Sequence, residues 1–268
     1  MPDAATEAAA PEPNGTDHPA DQPFAPHVEA EIAQLAQVHR DAAGAGMSLL
    51  SSLGAQAEGL LDRLPAAVRG QLNGATRQAL QLAYSGASMT RGGRLPDTGE
   101  RMTTALSTAM GAAGGFGGLP TALAEVPVTT AFLMRAMQGI AAEHGFDPAD
   151  EQTRLACVQT FAAAGPLAGD DGGTAAFLTL RFGTTGAGLK AVIGQVVPVF
   201  SLVLGRKVAA QAVPVLGGAL GAAVNWTYTS YYQDMARVQF GLMKLARDEG
   251  LDPEAVIARF RDVVQPQT

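Results

Sequence analysis

The chain has 268 residues, 47% of them apolar and only 16% charged, with 32 glycines and a mean hydropathy of +0.11. Such a composition excludes a wholly disordered protein, which needs low hydrophobicity and high charge. A net charge of −7 with a pI near 5.1 excludes the basic face of a nucleic-acid-binding protein, and a single cysteine, Cys157, excludes a disulfide scaffold or a thiolate zinc site.

Residues 1–27 are rich in Pro and Ala, with Phe24 almost the only large apolar side chain. This stretch cannot bury enough surface to offset its ordering entropy and is expected to form a disordered arm. It has no basic start followed by an apolar core, so a cytoplasmic protein is expected. Val28, Ile32, Leu35 and Val38 then recur at helical spacing and predict an N-terminal helix within 28–53. Pro65 can open the next helix, carrying Val68, Leu72, Leu80 and Tyr84, and the Gly- and Pro-containing segment 91–100 reads as a loop.

A long helix is predicted from Pro120, a good first helical residue because its missing N–H is not needed there, to His144, where Gly145 can supply a left-handed stop. Asp147 or Asp150 then caps a short helix, and 174–183 is also read as helical. Three windows carry no charge at all: 102–124, 191–205 and 208–233. They are long enough to raise the question of a bilayer, but they are rich in small and polar residues, so buried helices of a bundle are the preferred reading. Gly217, Gly221, Val224, Tyr228, Tyr231, Met235, Val238, Leu242 and Leu245 step by three and four along one seam suited to a core helix or to a partner helix. No stretch alternates with period two for long. The fold class expected is all-α, a compact multi-helix bundle with Gly/Ala-rich buried helices, a helical domain over 54–250 and a short C-terminal helix and tail over 251–268.

Candidate chemistry is sparse. There is no nucleophile elbow, phosphate-binding loop or Glu-x-x-His ligand pair, so no cofactor and no metal are expected. Asp170-Asp171 before two glycines reads as a turn and helix cap. Glu125 closes a 23-residue uncharged run and lies two residues before Pro127 inside a helix, where it needs either a cationic partner or a raised pKa. Asn225 interrupts a Gly/Ala run, and Asp234 and Arg237 are spaced to pair on one helix face. Two readings follow. In one, Glu125, Asn225, Asp234 and Arg237 gather around a polar pocket, with Glu125, Asp234 and Arg237 as catalytic candidates and Asn225 and Arg135 as binding candidates. In the other, Glu125 is a solvated residue at a helix kink and Asp234–Arg237 an exposed ion pair.

Two stretches, 117–147 and 209–240, resemble the EcsC protein family, a bacterial group named for a neighbour of an ABC transporter. The likeness covers roughly 54–250 and rests on Gly118-Leu119-Pro120, Glu125-x-Pro127, the Thr-rich helix with Arg135, Pro214 with its Gly/Ala run to Asn225, and Ala236-Arg237 before Phe240. Family members typically carry His before that phenylalanine; Gln239 stands there here, so no role that needs an imidazole is expected at this position. The resemblance implies an all-helical intracellular domain with a peripheral station at the inner face of the membrane, and it brings no catalytic mechanism. The expected function is a helical module associated with membrane lipid or an apolar ligand, or with a membrane-protein partner, in support of secretion or envelope functions. The alternatives are a hydrolase-like enzyme using Glu125 or Asp234 as acid–base, and a soluble adaptor presenting the seam helix.

Overall fold

The computed structural model describes residues 24–42, 44, 66–90, 104–105, 108–109, 118–163, 188–211 and 217–264. Among these the chain forms seven helices and no strand, as the periodicity predicts. They are α1 (26–42), α2 (Ala66–Thr90), α3 (Gly118–Glu143), α4 (Glu151–Thr160), α5 (Leu189–Gln211), α6 (Gly217–Asp248) and α7 (Pro253–Val264). The N-terminal arm up to residue 23, Pro65, most of the 102–124 window, the 174–183 helix and Asp170-Asp171 lie outside the described residues.

Local signals set the helix ends. Asp150 has extended backbone and its carboxylate accepts from the N–H groups of Gln152 and Thr153, so it, rather than Asp147, caps α4. Gly145 (φ +80°) stops α3: the N–H of Phe146 donates to the Ala141 carbonyl and that of Gly145 to the Ala142 carbonyl. Gly250 (φ +64°) repeats the device after α6, with Leu251 donating to Ala246. In both, the left-handed backbone that ends the helix is one that glycine adopts without a Cβ penalty. The start of α3 differs from expectation, since the helix begins at Gly118, two residues before Pro120.

The longest element, α6, is the axis of the core. Val224, Tyr228, Tyr231, Met235, Val238, Leu242 and Leu245 are all buried, and so are Asn225, Thr229, Tyr232, Gln233, Ala236, Gln239 and Phe240. The predicted seam is therefore one stripe of a helix covered nearly all round by its own chain. Phe161, just after α4, and Phe200 of α5 pack with tilted rings, centroids 4.6 Å apart, and both meet Tyr232, at 5.5 and 5.9 Å. Leu35 of α1 fits against Gly241, where a Cβ would lie 2.7 Å from the leucine Cδ2. Cys157 is fully buried, as a small core residue should be.

Cross-links also fix helix directions. Glu125 of α3 meets Asn225 of α6 near their starts, and Gly145 after α3 meets Arg247 near the end of α6, so the two run parallel. Lys207, near the end of α5, reaches Glu125, so α5 runs the other way. The bundle thus has an end marked by Glu125 and an end marked by the two glycine stops, about 33 Å apart at ~1.5 Å per residue along α6.

Candidate functional site

Three helices bring a buried ionic cluster together at the first of these ends. The Glu125 carboxylate accepts through Oε1 from Asn225 Nδ2 at 2.7 Å, Lys207 Nζ at 3.1 Å and the Thr129 hydroxyl at 3.3 Å. Lys207 Nζ also lies 3.4 Å from Thr129 Oγ1. The lysine and glutamate side chains are 2% and 6% exposed, so the pair is removed from water almost completely. Glu125 Oε2 is buried with no hydrogen-bond partner among the described residues.

Local sequence explains the arrangement. Thr129 follows Glu125 by one helical turn and so stands on the same face. Pro127 lies within α3 and cannot donate to the carbonyl of Leu123, and Pro198 does the same to Gly194 within α5. Both helices that carry the ion pair are thus interrupted in their backbone ladders. Burial lowers the pKa of the Lys207 ammonium by desolvation, and the adjacent Glu125 charge and hydrogen bond oppose that shift.

The structure brings together two of the residues singled out by sequence, Glu125 and Asn225, and does not gather the proposed four. Asp234 is nine residues beyond Asn225, about 14 Å along α6 and half a turn round its axis. It forms an ion pair with Arg237, both side chains about one-third exposed. Arg135 is half-buried ten residues beyond Glu125, about 15 Å along α3. The alternative in which Glu125 is a solvated kink residue is overturned by its burial, 7% exposed as a residue.

Sequence reasoning missed Lys207 and Thr129. The signal for Lys207 was present: it is one of three lysines, and with Arg206 it is all that separates the 191–205 and 208–233 uncharged windows. Gln239, where the resembled family carries His, is a tie between helices: its Nε2 donates to the Ala156 carbonyl at 3.0 Å, and its Oε1 accepts from the Thr160 hydroxyl at 2.6 Å. Among the described residues, no three His, Cys, Asp or Glu side chains converge as a metal site would require.

The exterior at this end is unusual as well. Trp226, beside Asn225, is 45% exposed; Val128, one turn from Glu125, is 43% exposed; and Leu202, five residues before Lys207, is 59% exposed. Helix α5 between Leu189 and Val208 has the length and hydropathy of a membrane span, yet 61% of that window is buried in the bundle. A core helix meets the same criteria.

No curated protein and no solved structure matches the chain. One family does: the EcsC protein family, over residues 30–242. That range runs from within α1 through most of α6, including Glu125, Thr129, Lys207, Asn225 and Gln239, and leaves the end of α6 and all of α7 outside it. With well over half its length so matched, the chain belongs to the EcsC protein family.

Proposed function

We propose that the protein is a helical module that associates reversibly with lipid, through the end of the bundle holding the Glu125–Lys207 pair, in support of envelope or secretion functions at the inner face of the membrane. The observation that carries this reading is the exterior of that end, where Trp226, Leu202 and Val128 stand exposed within about one and a half turns of the buried cluster. Large apolar side chains left in water at one end of a bundle are candidates for an interaction surface, and tryptophan favours the membrane–water boundary, with its ring in an apolar zone and its N–H in a wet one. Attachment from the surface is favoured over spanning because α5 is largely spoken for by neighbouring helices. The buried ion pair serves as a structural clamp joining α3, α5 and α6 behind this surface.

Trp226 is the only tryptophan, so its emission reports the proposed contact directly. Binding to neutral and to anionic vesicles should shift that emission to the blue and be nearly independent of salt, since a net charge of −7 gives no attraction to an anionic leaflet. Leu202→Ser and Trp226→Ser should each reduce sedimentation with vesicles. Protein that stays in the supernatant with both lipid types, with unchanged emission, would sink the proposal.

An acid–base role for Glu125 has one observation behind it, a lysine whose pKa is displaced beside a carboxylate, a combination that recurs at active sites. Its test is Glu125→Gln: loss of a hydrolytic activity with unchanged stability favours chemistry, and a large loss of stability favours the clamp.

A further inference from the structure

At the far end of the bundle, a groove of about 470 Å³ opens between the last turns of α6, the start of α7 and the stop of α3. Its walls are apolar: Leu242 and Met243 of α6, Ile257 of α7, and Phe146 and Leu251, the residues that follow the two left-handed glycines. The groove is therefore a product of helix termination, because each stop turns one apolar side chain back beside its helix. Arg247 forms its rigid corner. The guanidinium lies 4.7 Å from the centre of the Phe146 ring and donates to the carbonyls of Gly145 and His144, at 3.2 and 3.4 Å.

Charge around the opening is predominantly negative. The segments 143–147 and 247–254 carry six exposed carboxylates, Glu143, Asp147, Asp248, Glu249, Asp252 and Glu254, against a single arginine. Asp248 is shared by Lys244 and Arg247, and Glu249 meets His27, which offsets part of this. The C-termini of α3 and α6 add the negative ends of two helix dipoles, while the positive N-terminus of α7 is covered by Asp252 and Glu254. An anionic lipid headgroup is repelled here. So is a second copy of this acidic chain.

We propose that the groove docks a basic amphipathic helix of a partner protein, apolar anchors inward and lysines or arginines facing the acidic rim. Dimensions are comparable: from Leu242 to the end of α6 at Asp248 the groove follows about 9 Å of helix and then the turn at Gly250, near the ~10 Å over which anchors at i, i+4 and i+7 are spread. Met243 supplies the adaptable wall that helix-binding grooves favour. The family match stops at residue 242, so α7 and most of the groove lie outside the matched region.

The test uses two labelled 18-residue model helices with the same leucine pattern, one with lysine and one with glutamate on the polar face, and reads fluorescence anisotropy with the full chain. The lysine helix should bind in the micromolar range, at least tenfold more tightly than the glutamate helix, and weaken several-fold between 50 and 300 mM salt, about the salt range over which charge contacts are screened. Met243→Arg should abolish binding. Asp252→Asn keeps the cap oxygen of α7 but removes a rim charge, so it should weaken binding two- to threefold even if the first variant does not fold. Equal binding of both helices, or lysine-helix binding that neither variant alters, overturns the proposal. Trp226 emission should stay unchanged throughout, which separates this outcome from that of the lipid-binding surface.

Discussion

The two ends of the bundle are built inside out with respect to each other, although α3 and α6 run through both. At the Glu125 end the charges are interior and large apolar side chains stand outside; at the glycine-stop end the interior is aliphatic and aromatic, and carboxylates ring the surface. The second arrangement is what water imposes on a soluble domain. In the first, burying an ammonium and a carboxylate costs several kcal/mol per ion before their attraction is counted, on the order of what a whole domain has to spare. On the reading proposed above, the end that carries such a cost while leaving Trp226 and Leu202 exposed is the one that meets lipid.

The sharpest way to break this contrast is to remove one charge. Lys207→Met leaves Glu125 buried without its cation and should lower stability by about 3–5 kcal/mol in urea unfolding. Replacing both, Lys207→Met with Glu125→Leu, should recover most of that loss and make this end an ordinary apolar core; no recovery would mean the pair is coupled to more than itself. Gly241→Val drives a branched side chain into Leu35 and should cost about 1–3 kcal/mol, mostly by loosening α1.

A smaller effect concerns pH. Burial raises the pKa of Tyr228 and Tyr232, whose hydroxyls donate to the carbonyls of Val203 and Ala163. Unfolded tyrosines ionise near pH 10 while these two hold their protons, so the stability they contribute is complete below pH 10 and is lost as pH rises beyond it. Tyr232→Phe should cost about 1 kcal/mol at neutral pH and flatten that alkaline decline, as read from thermal melts between pH 8 and 11. The smallest effect is expected at Asp234→Asn, whose partly exposed pair with Arg237 should be worth less than about 1 kcal/mol.

Much of the architecture was legible because it is local. Gly145 and Asp150 act within a turn of themselves, and the stripe from Val224 to Leu245 follows from helical spacing alone. The rest of the burial around α6 was not legible: nothing local to Gln233 or Gln239 marks them as buried, and a distant carbonyl, that of Ala156, satisfies Gln239 inside the bundle. The candidate site divides in the same way. Glu125 and Asn225 stood out against uncharged surroundings, but that they are 100 positions apart and share a hydrogen bond is a fact of packing. Lys207, next to Arg206, has the look of a surface dibasic pair, and only the antiparallel course of α5 carries it inward. Asp234 and Arg237 were correctly spaced to pair with each other, and that same spacing set them away from Asn225.

The burial of Lys207 has a practical consequence. With three lysines in the chain, an amine-acylating reagent meets Lys190 and Lys244 at the surface and finds the third sealed within the bundle. Modification at that one position can occur only when α3, α5 and α6 part, so its rate is a clock for the breathing of this end of the molecule, readable by mass spectrometry in the intact native protein.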